Sequence, residues 1–234
     1  MKYQNDKTNA FAFSKRQLKG LRNKVNSLVE MDSVDVIFYI NLANREDRCA
    51  HFLEQIPALS SDMSKIIRID AIYNKNGALG CTHSHIKAIE TFLENLKWKT
   101  CIIFEDDFTF YNDSPEYNNS LLHKFFTNFT DWDMLHLSTN QTKPAIPTAI
   151  PEINKVVCSQ TSSGYLIHKE SAPKILANFK ESADLLEYLN IKTSYSLDIY
   201  WEKLNLVRYA FNPNMGYQYP SISDIENRFV TYGC

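Results

Sequence analysis

The sequence predicts an α/β domain on a largely parallel sheet, and three observations predict it. Short β-branched and aromatic runs at 34–42, 66–69 and 100–104 alternate with segments whose apolar residues recur at helical spacing. Of 234 residues 44% are hydrophobic and 22% charged, enough to bury a real core and unlike a disordered chain. Thirteen per cent are aromatic, with 13 Tyr and 14 Phe, which suits packed strands and a stacking pocket.

Residues 1–32 stand apart from the rest. Lys15, Arg16, Lys19, Arg22 and Lys24 cluster with Leu18, Leu21, Val25 and Leu28 at helical spacing. This is a basic helical extension that packs on the domain edge or lies on a membrane surface. From residue 33 the chain reads as one domain. Residues 34–42 are a buried strand, and Asn44 opens a helix with Asp47 as a capping-box-like partner. Residues 66–69 are a second strand. Gly77 and Gly80 punctuate a turn, and Ile86, Ile89, Leu93 and Leu96 mark one face of the helix that follows. Residues 100–104 are a third strand, ending in Glu105-Asp106-Asp107. A polar loop over 112–120 leads to a helix over 121–129, and 134–137 are another strand. Three prolines put 141–151 in a loop. Residues 156–158 and 164–168 are short strands, 171–179 and 196–204 helices, 206–211 a last strand, and 212–234 an irregular tail.

A net charge of −2 gives no electrostatic footprint for nucleic acid. Five cysteines, Cys49, Cys81, Cys101, Cys158 and Cys234, are scattered, odd in number and form no Cys-x-x-Cys. They read as free thiols rather than a disulfide framework. The N-terminus lacks the apolar core of a signal peptide, and no apolar run is long enough to span a bilayer. The expectation is a cytoplasmic protein, with the basic segment as a route to peripheral membrane contact.

Five groups of residues can carry chemistry. The strongest is Glu105-Asp106-Asp107, where adjacent carboxylates repel one another unless a cation, a donor or water compensates. Ligands of open α/β sheets sit beyond the carboxyl ends of strands. Hard carboxylate oxygens suit magnesium or manganese bridging to a diphosphate. Strand alternation puts Glu105 and Asp107 on one side and Asp106 on the other. The plain alternative is a turn of solvated acids.

The second group runs from Gly77 to His85, where a glycine turn opening a helix offers free N–H groups to an anion or nucleotide. Cys81 and His85 share a helix face at i and i+4, as zinc ligands do, but no further ligand pair has zinc spacing. His85 otherwise reads as a structural histidine closing on a backbone carbonyl. In the third group, Asn41 to Arg48, Arg45 or Arg48 can hold a phosphate or fix the loop by ion pairing; the alternative is a capped helix start with surface charges. The fourth is Asp198, in the first turn of an aromatic-rich helix, as dipole compensation or as a partly desolvated base. The fifth is the stretch from Gln218 to Ile225, which folds back over a site or forms a loose terminus.

Taken in order, Asn41-Leu42 with Arg45 and Asp47-Arg48, Gly77 to Cys81 with Ser84-His85, Phe104 to Asp107, Ser163 to Ile167, and Gln218 to Ile225 resemble the blocks of family 25 glycosyltransferases. That family includes bacterial lipooligosaccharide galactosyltransferases and procollagen galactosyltransferases. The resemblance spans 34–228 and leaves the basic segment unmatched. It implies a GT-A fold over 33–234, with a Rossmann-like sheet binding a UDP-sugar and an acidic motif holding a divalent metal, manganese preferred and magnesium possible. It implies transfer of a hexose, galactose or glucose, with inversion, to a hydroxyl on a glycan, glycolipid or collagen-like protein.

By the same resemblance Asp198 is the base, with Asp224 its rival, and Asp107 with Asp106 holds the metal. Glu105 or Asp106 sits on the ribose and metal waters. Asn41, Leu42, Arg45, Gly80, Cys81 and Ser84 line the nucleotide, and Gln218, Ser221 and Asp224 close over the diphosphate. The acidic motif is Glu-Asp-Asp rather than Asp-x-Asp, and His83 stands where relatives often carry an aromatic or aliphatic residue. Two other classes compete. One is a non-catalytic sugar- or partner-binding module on the same fold. The other is a metal-dependent phosphohydrolase, for which a second acid-and-histidine cluster is missing.

Overall fold

A computed structural model describes residues 34–59, 62–223 and 228–231; the basic segment 1–32 and Asp224 lie outside the described residues. Strand β1 (Val36–Asn41) is buried along its whole length, so it carries no polar alternation. It pairs in parallel with β2 (Ile66–Asp70) and with β3 (Thr100–Glu105). The helices α1 (Glu46–Gln55) and α2 (Gly77–Glu94) lie between them in sequence. A short β4 (Phe108–Phe110) and α3 (Pro115–Asn128) lead to β5 (Met134–Gln141), β6 (Ile146–Pro147), β7 (Ile153–Lys155) and the long β8 (Ser159–His168). Then come α4 (Ala172–Leu189), two single-turn helices α5 (Lys192–Tyr195) and α6 (Leu197–Tyr200), and β9 (Arg208–Phe211). The chain returns through β10 (Gly216–Gln218) and the pair β11 (Ser221–Ser223) and β12 (Arg228–Val230).

The central sheet has the order β2-β1-β3-β8-β5-β9-β7-β6. Its pairings leave β1, β2, β3, β5, β9 and the two-residue β6 running one way, with β8 and β7 reversed. The fold is therefore α/β on a mostly parallel sheet flanked by helices. Alternation along each strand divides the core between two layers. Ile37, Tyr39, Ile102, Phe104, Leu135 and Leu166 face Phe52 of α1 and Leu122 and Phe125 of α3. Phe38, Ile40, Ile103, Tyr165 and Ile167 face Ile89 and Phe92 of α2 and Phe179 of α4. Among the described residues no helix is long and apolar enough to cross a membrane, and Cys49, Cys81, Cys101 and Cys158 are free thiols.

Several element boundaries differ from the sequence expectation. Helix α1 starts at Glu46 without a side-chain cap, because Asp47 accepts from Arg45 Nε and Nη2 at 3.0 and 2.9 Å instead of closing a capping box. Gly77 and Gly80 lie inside α2 rather than in a turn before it; Asn76 caps this helix by accepting from Leu79 N. Leu96 lies past its end and is 90% exposed. Helix α3 begins at Pro115, capped by Ser114, so most of the expected polar loop is helical. Residues 156–158 are not a strand; the strand is β7, three residues earlier, and β8 starts at Ser159. The 196–204 helix is broken into α6 and a 3₁₀ turn at Trp201–Lys203. The tail is paired rather than irregular, since β10 lies antiparallel to β4.

Gly80 has a packing role that its sequence setting did not disclose. A Cβ there would meet the Ile72 carbonyl oxygen at 2.6 Å and Asn74 N at 3.1 Å. Helix α2 can approach the segment after β2 only because that side chain is missing. Gly80→Val is therefore expected to cost at least about 2 kcal/mol, or roughly 4–8 °C in Tm, read by thermal melting. An unchanged Tm would show that the segment simply moves aside.

Candidate functional site

Strands β1 and β3 end side by side, with Ile40 opposite Glu105, and the chain then turns at Asp106-Asp107 before β4. A cleft of about 710 Å³ opens at these strand ends. The turn brings Glu105, Asp106 and Asp107 all to the cleft, so the expected split of the acids onto opposite sides of a strand does not hold. Across from them, β8 is irregular. Its register with β5 shifts, and Thr161 takes φ 84°, a left-handed conformation unusual for a β-branched residue. The irregularity turns Thr161 N–H toward Asp198 Oδ2 at 3.0 Å, and Ser162 Oγ donates to Glu105 Oε1 at 2.6 Å. One distortion of the sheet thus holds a carboxylate from each wall.

The acids are unequally compensated. Arg48, from the first turn of α1, reaches Asp106 Oδ1 and Asp107 Oδ2, both at 3.2 Å, and donates to Ser221 Oγ at 2.6 Å. Asn41 donates to Asp106 Oδ2 at 2.7 Å and accepts from Arg68 at 3.1 Å. Burial pushes Glu105 up, but His85 and Ser162 more than offset it and its pKa falls below the usual range. Burial raises Asp106 despite Arg48. Burial and then the Glu105 charge push Asp107 up to about 7. Asp198 is also raised, by burial, against the pull of the Thr161 amide. Three acids against one guanidinium leave excess negative charge and hard oxygen donors, a setting that fits a divalent cation held by Asp106 and Asp107.

Arg48 is the partner these acids cannot lose. Replacing one member of a buried ion pair typically costs about 3–5 kcal/mol, because the other charge is stranded. Arg48→Met is expected to destabilise by that order at pH 8, and by less at pH 5, where Asp107 protonates. Equal losses at both pH values in urea unfolding would show that the arginine stabilises by packing alone.

Leu42, Gly80, Cys81, Ser84, Glu105, Asp106, Asp107, Asp198 and Gln218 line the cleft. Three candidates are not among its lining residues. Asn41 is 2% exposed and acts through Asp106; Ser221 holds Arg48; Arg45 pairs with Asp47. The arginine at the acids is Arg48, not Arg45. Asp224 is outside the described residues. Ser84 ties α2 to the segment after β2, donating to the Gly80 carbonyl at 2.7 Å and accepting from Ile72 N at 2.8 Å. The tail returns to the acids: Tyr219 N donates to the Asp107 carbonyl at 2.6 Å, Gln218 Nε2 reaches Asp107 Oδ1 at 3.5 Å, and Tyr219 packs on His51. His85 closes on Tyr165 Oη at 2.8 Å, not on a backbone carbonyl.

Sequence reasoning missed Thr161, Ser162, Asn140, Gln160, Lys192 and Thr193, all of which line the cleft. The signal available for the first two was a run of polar residues from Ser159 to Ser163 just before the apolar Tyr165-Leu166-Ile167 of the same strand.

No protein-family model matches the chain. Among curated proteins it is similar to procollagen galactosyltransferase 1-A of Xenopus laevis, with 26% identity over 176 residues, 62% of this chain. The chain spans 28% of that relative's length. Among solved structures it is similar to A197 from STIV, at TM-score 0.46 and 13% identity, covering 86% of this chain and 95% of that one. It is also similar to mannose-1-phosphate geranyltransferase from Thermus thermophilus, at TM-score 0.41 and 9% identity, covering 76% and 73%.

Proposed function

We propose that the chain is a metal-dependent, inverting glycosyltransferase that moves galactose or glucose from a UDP-sugar to a hydroxyl on a glycan, glycolipid or collagen-like protein. One observation carries the reading. A single cleft at the carboxyl ends of β1 and β3 has an acidic turn on one wall and a desolvated carboxylate, Asp198, on another. The similarity to a protein named as a galactosyltransferase supports it over the matched part of the chain.

In this reading Asp106 and Asp107 would hold the ion, manganese before magnesium, which would offset the charge that develops on the departing diphosphate. The chain's own residues do the rest. Leu42 and the wall from Ala71 to Asn74 offer the base and ribose a seat beside the strand ends. Arg48 gives the phosphates a charge-assisted donor. Asp198 accepts the proton of the acceptor hydroxyl on the side away from the leaving group, so one displacement inverts the anomeric centre. Gln218 and Tyr219 bring the tail against the acidic turn, where it excludes water that would hydrolyse the donor.

The test is a panel of sugar nucleotides with manganese, read by melting temperature and by UDP release. A ligand at 100 times its Kd adds about 2.7 kcal/mol, roughly 5–10 °C here. One UDP-hexose is expected to give that shift and a slow release of UDP that EDTA abolishes. No shift and no release across the panel would overturn the reading.

A further inference from the structure

Cys81, His85 and Glu105 form a second constellation at the edge of the cleft. Their sulfur, imidazole nitrogen and carboxylate oxygen all lie within 4.8 Å of one another. Cys81 and His85 stand one turn apart on α2, and the end of β3 supplies the carboxylate that the sequence spacing could not show. His85 is fully buried, and its Nε2 has no hydrogen-bond partner; it faces Glu105 Oε1 at 3.4 Å. The other ring nitrogen is engaged with Tyr165 Oη at 2.8 Å, and the ring packs against Tyr165 and Phe179. The ring proton of a neutral His85 has two places: on Nε2 it points toward Glu105 Oε1 and favours that carboxylate's charge, and on Nδ1 it goes to Tyr165 Oη, leaving lone pairs on Nε2 and Oε1 that face each other across a gap a cation would fill.

We propose that Cys81, His85 and Glu105 are a binding site for a thiophilic divalent cation of the zinc class, separate from the hard-cation seat at Asp106 and Asp107. Zinc bonds of about 2.0–2.3 Å set tetrahedral ligand atoms roughly 3.3–3.8 Å apart, so the nitrogen–oxygen edge already has metal spacing. The thiol needs to close by no more than about 1–1.5 Å for all three atoms to reach metal spacing. Tyr165 does what an outer partner of a metal-binding histidine does: it fixes the ring and the tautomer. All three residues line the cleft, so the ion enters from solvent and the fourth position stays open to water or to an anionic ligand. Sulfur and imidazole disfavour magnesium, which gives the two seats different metal preferences. Binding converts the Cys81 thiol to a thiolate and releases its proton to solvent.

Cobalt(II) is the probe, added to the full chain without any sugar nucleotide, so the outcome is independent of the transferase reading. The expected result is one equivalent of cobalt giving sulfur-to-metal charge-transfer absorption in the near ultraviolet and the visible bands of four-coordinate cobalt. Zinc should erase both, and a hundredfold excess of magnesium should not. Cys81→Ser, nearly isosteric, should fold and lose the charge-transfer band. Tyr165→Phe should keep the band and weaken cobalt binding about 10–100-fold. Absence of the band in the native chain overturns the proposal, and so does a band that survives Cys81→Ser.

Discussion

Asp198→Asn is expected to cut turnover about 10²–10⁴-fold while UDP binding stays intact, the loss typical of a positioned general base. The residue sits in the single turn of α6, lines the cleft and faces the acidic turn. Burial raises its pKa above the ordinary 3.8, which strengthens it as a proton acceptor near neutral pH. Its Oδ2 accepts from Thr161 N at 3.0 Å, and an asparagine oxygen can accept the same bond. The fold around α6 should therefore survive, and the variant should lose basicity alone. In the native chain kcat/KM should rise with pH as Asp198 deprotonates, and that acid limb should vanish in the variant. If UDP affinity falls along with turnover, Asp198 braces the site rather than acting as its base. Asp224→Asn is the companion measurement; a dead Asp224 variant beside a near-normal Asp198 variant would exchange the two roles.

The buried parts of this architecture were legible because their patterns are local. The apolar run of β1 and the helical periodicity of α2 need no partner to be read. Boundaries failed where a side chain chose a tertiary or neighbouring partner over a cap, as when Asp47 took Arg45. The start of α3 was missed despite a local signal, Ser114 before Pro115, because the following Asn118 and Asn119 read as loop. They are buried and donate to the Ala58 and Leu59 carbonyls, contacts no local pattern encodes. The acidic turn was legible as a cluster, but its electrostatics were not. Choosing Arg48 over Arg45 depends on which face of α1 looks toward β3, and the hold on Asp198 depends on a sheet distortion at Thr161. Gly80 was legible as special, but its close approach to the Ile72 carbonyl was not, because that depends on how α2 lies against the segment after β2.

Asp107→Asn is expected to make the metal-free protein more stable at pH 8 while abolishing metal-supported donor binding. In the folded chain this carboxyl has a pKa of about 7 against an ordinary 3.8, because burial and the Glu105 charge disfavour its ionised form. A folded pKa raised above the unfolded value contributes stability that is fully present below about pH 4 and is lost as pH rises through about 7. A tenfold change in acidity corresponds to about 1.4 kcal/mol, so the loss at pH 8 has a ceiling of about 4 kcal/mol. Arg48, which Asp107 shares with Asp106, works against that loss. Glu105, whose pKa is lowered, contributes in the opposite sense, with stability lost as pH falls. The clean observable is thus the difference between variant and native chain in urea unfolding at pH 5 and pH 8, with EDTA present. That difference should move in favour of the asparagine from pH 5 to pH 8, by about one to a few kcal/mol. Manganese should narrow it by stabilising the native chain alone, through the same ionised carboxylate that destabilises the empty site. A variant less stable than the native chain at pH 8 would mean that Arg48 already compensates Asp107 fully. Full turnover in excess EDTA would remove the metal from the proposed reaction.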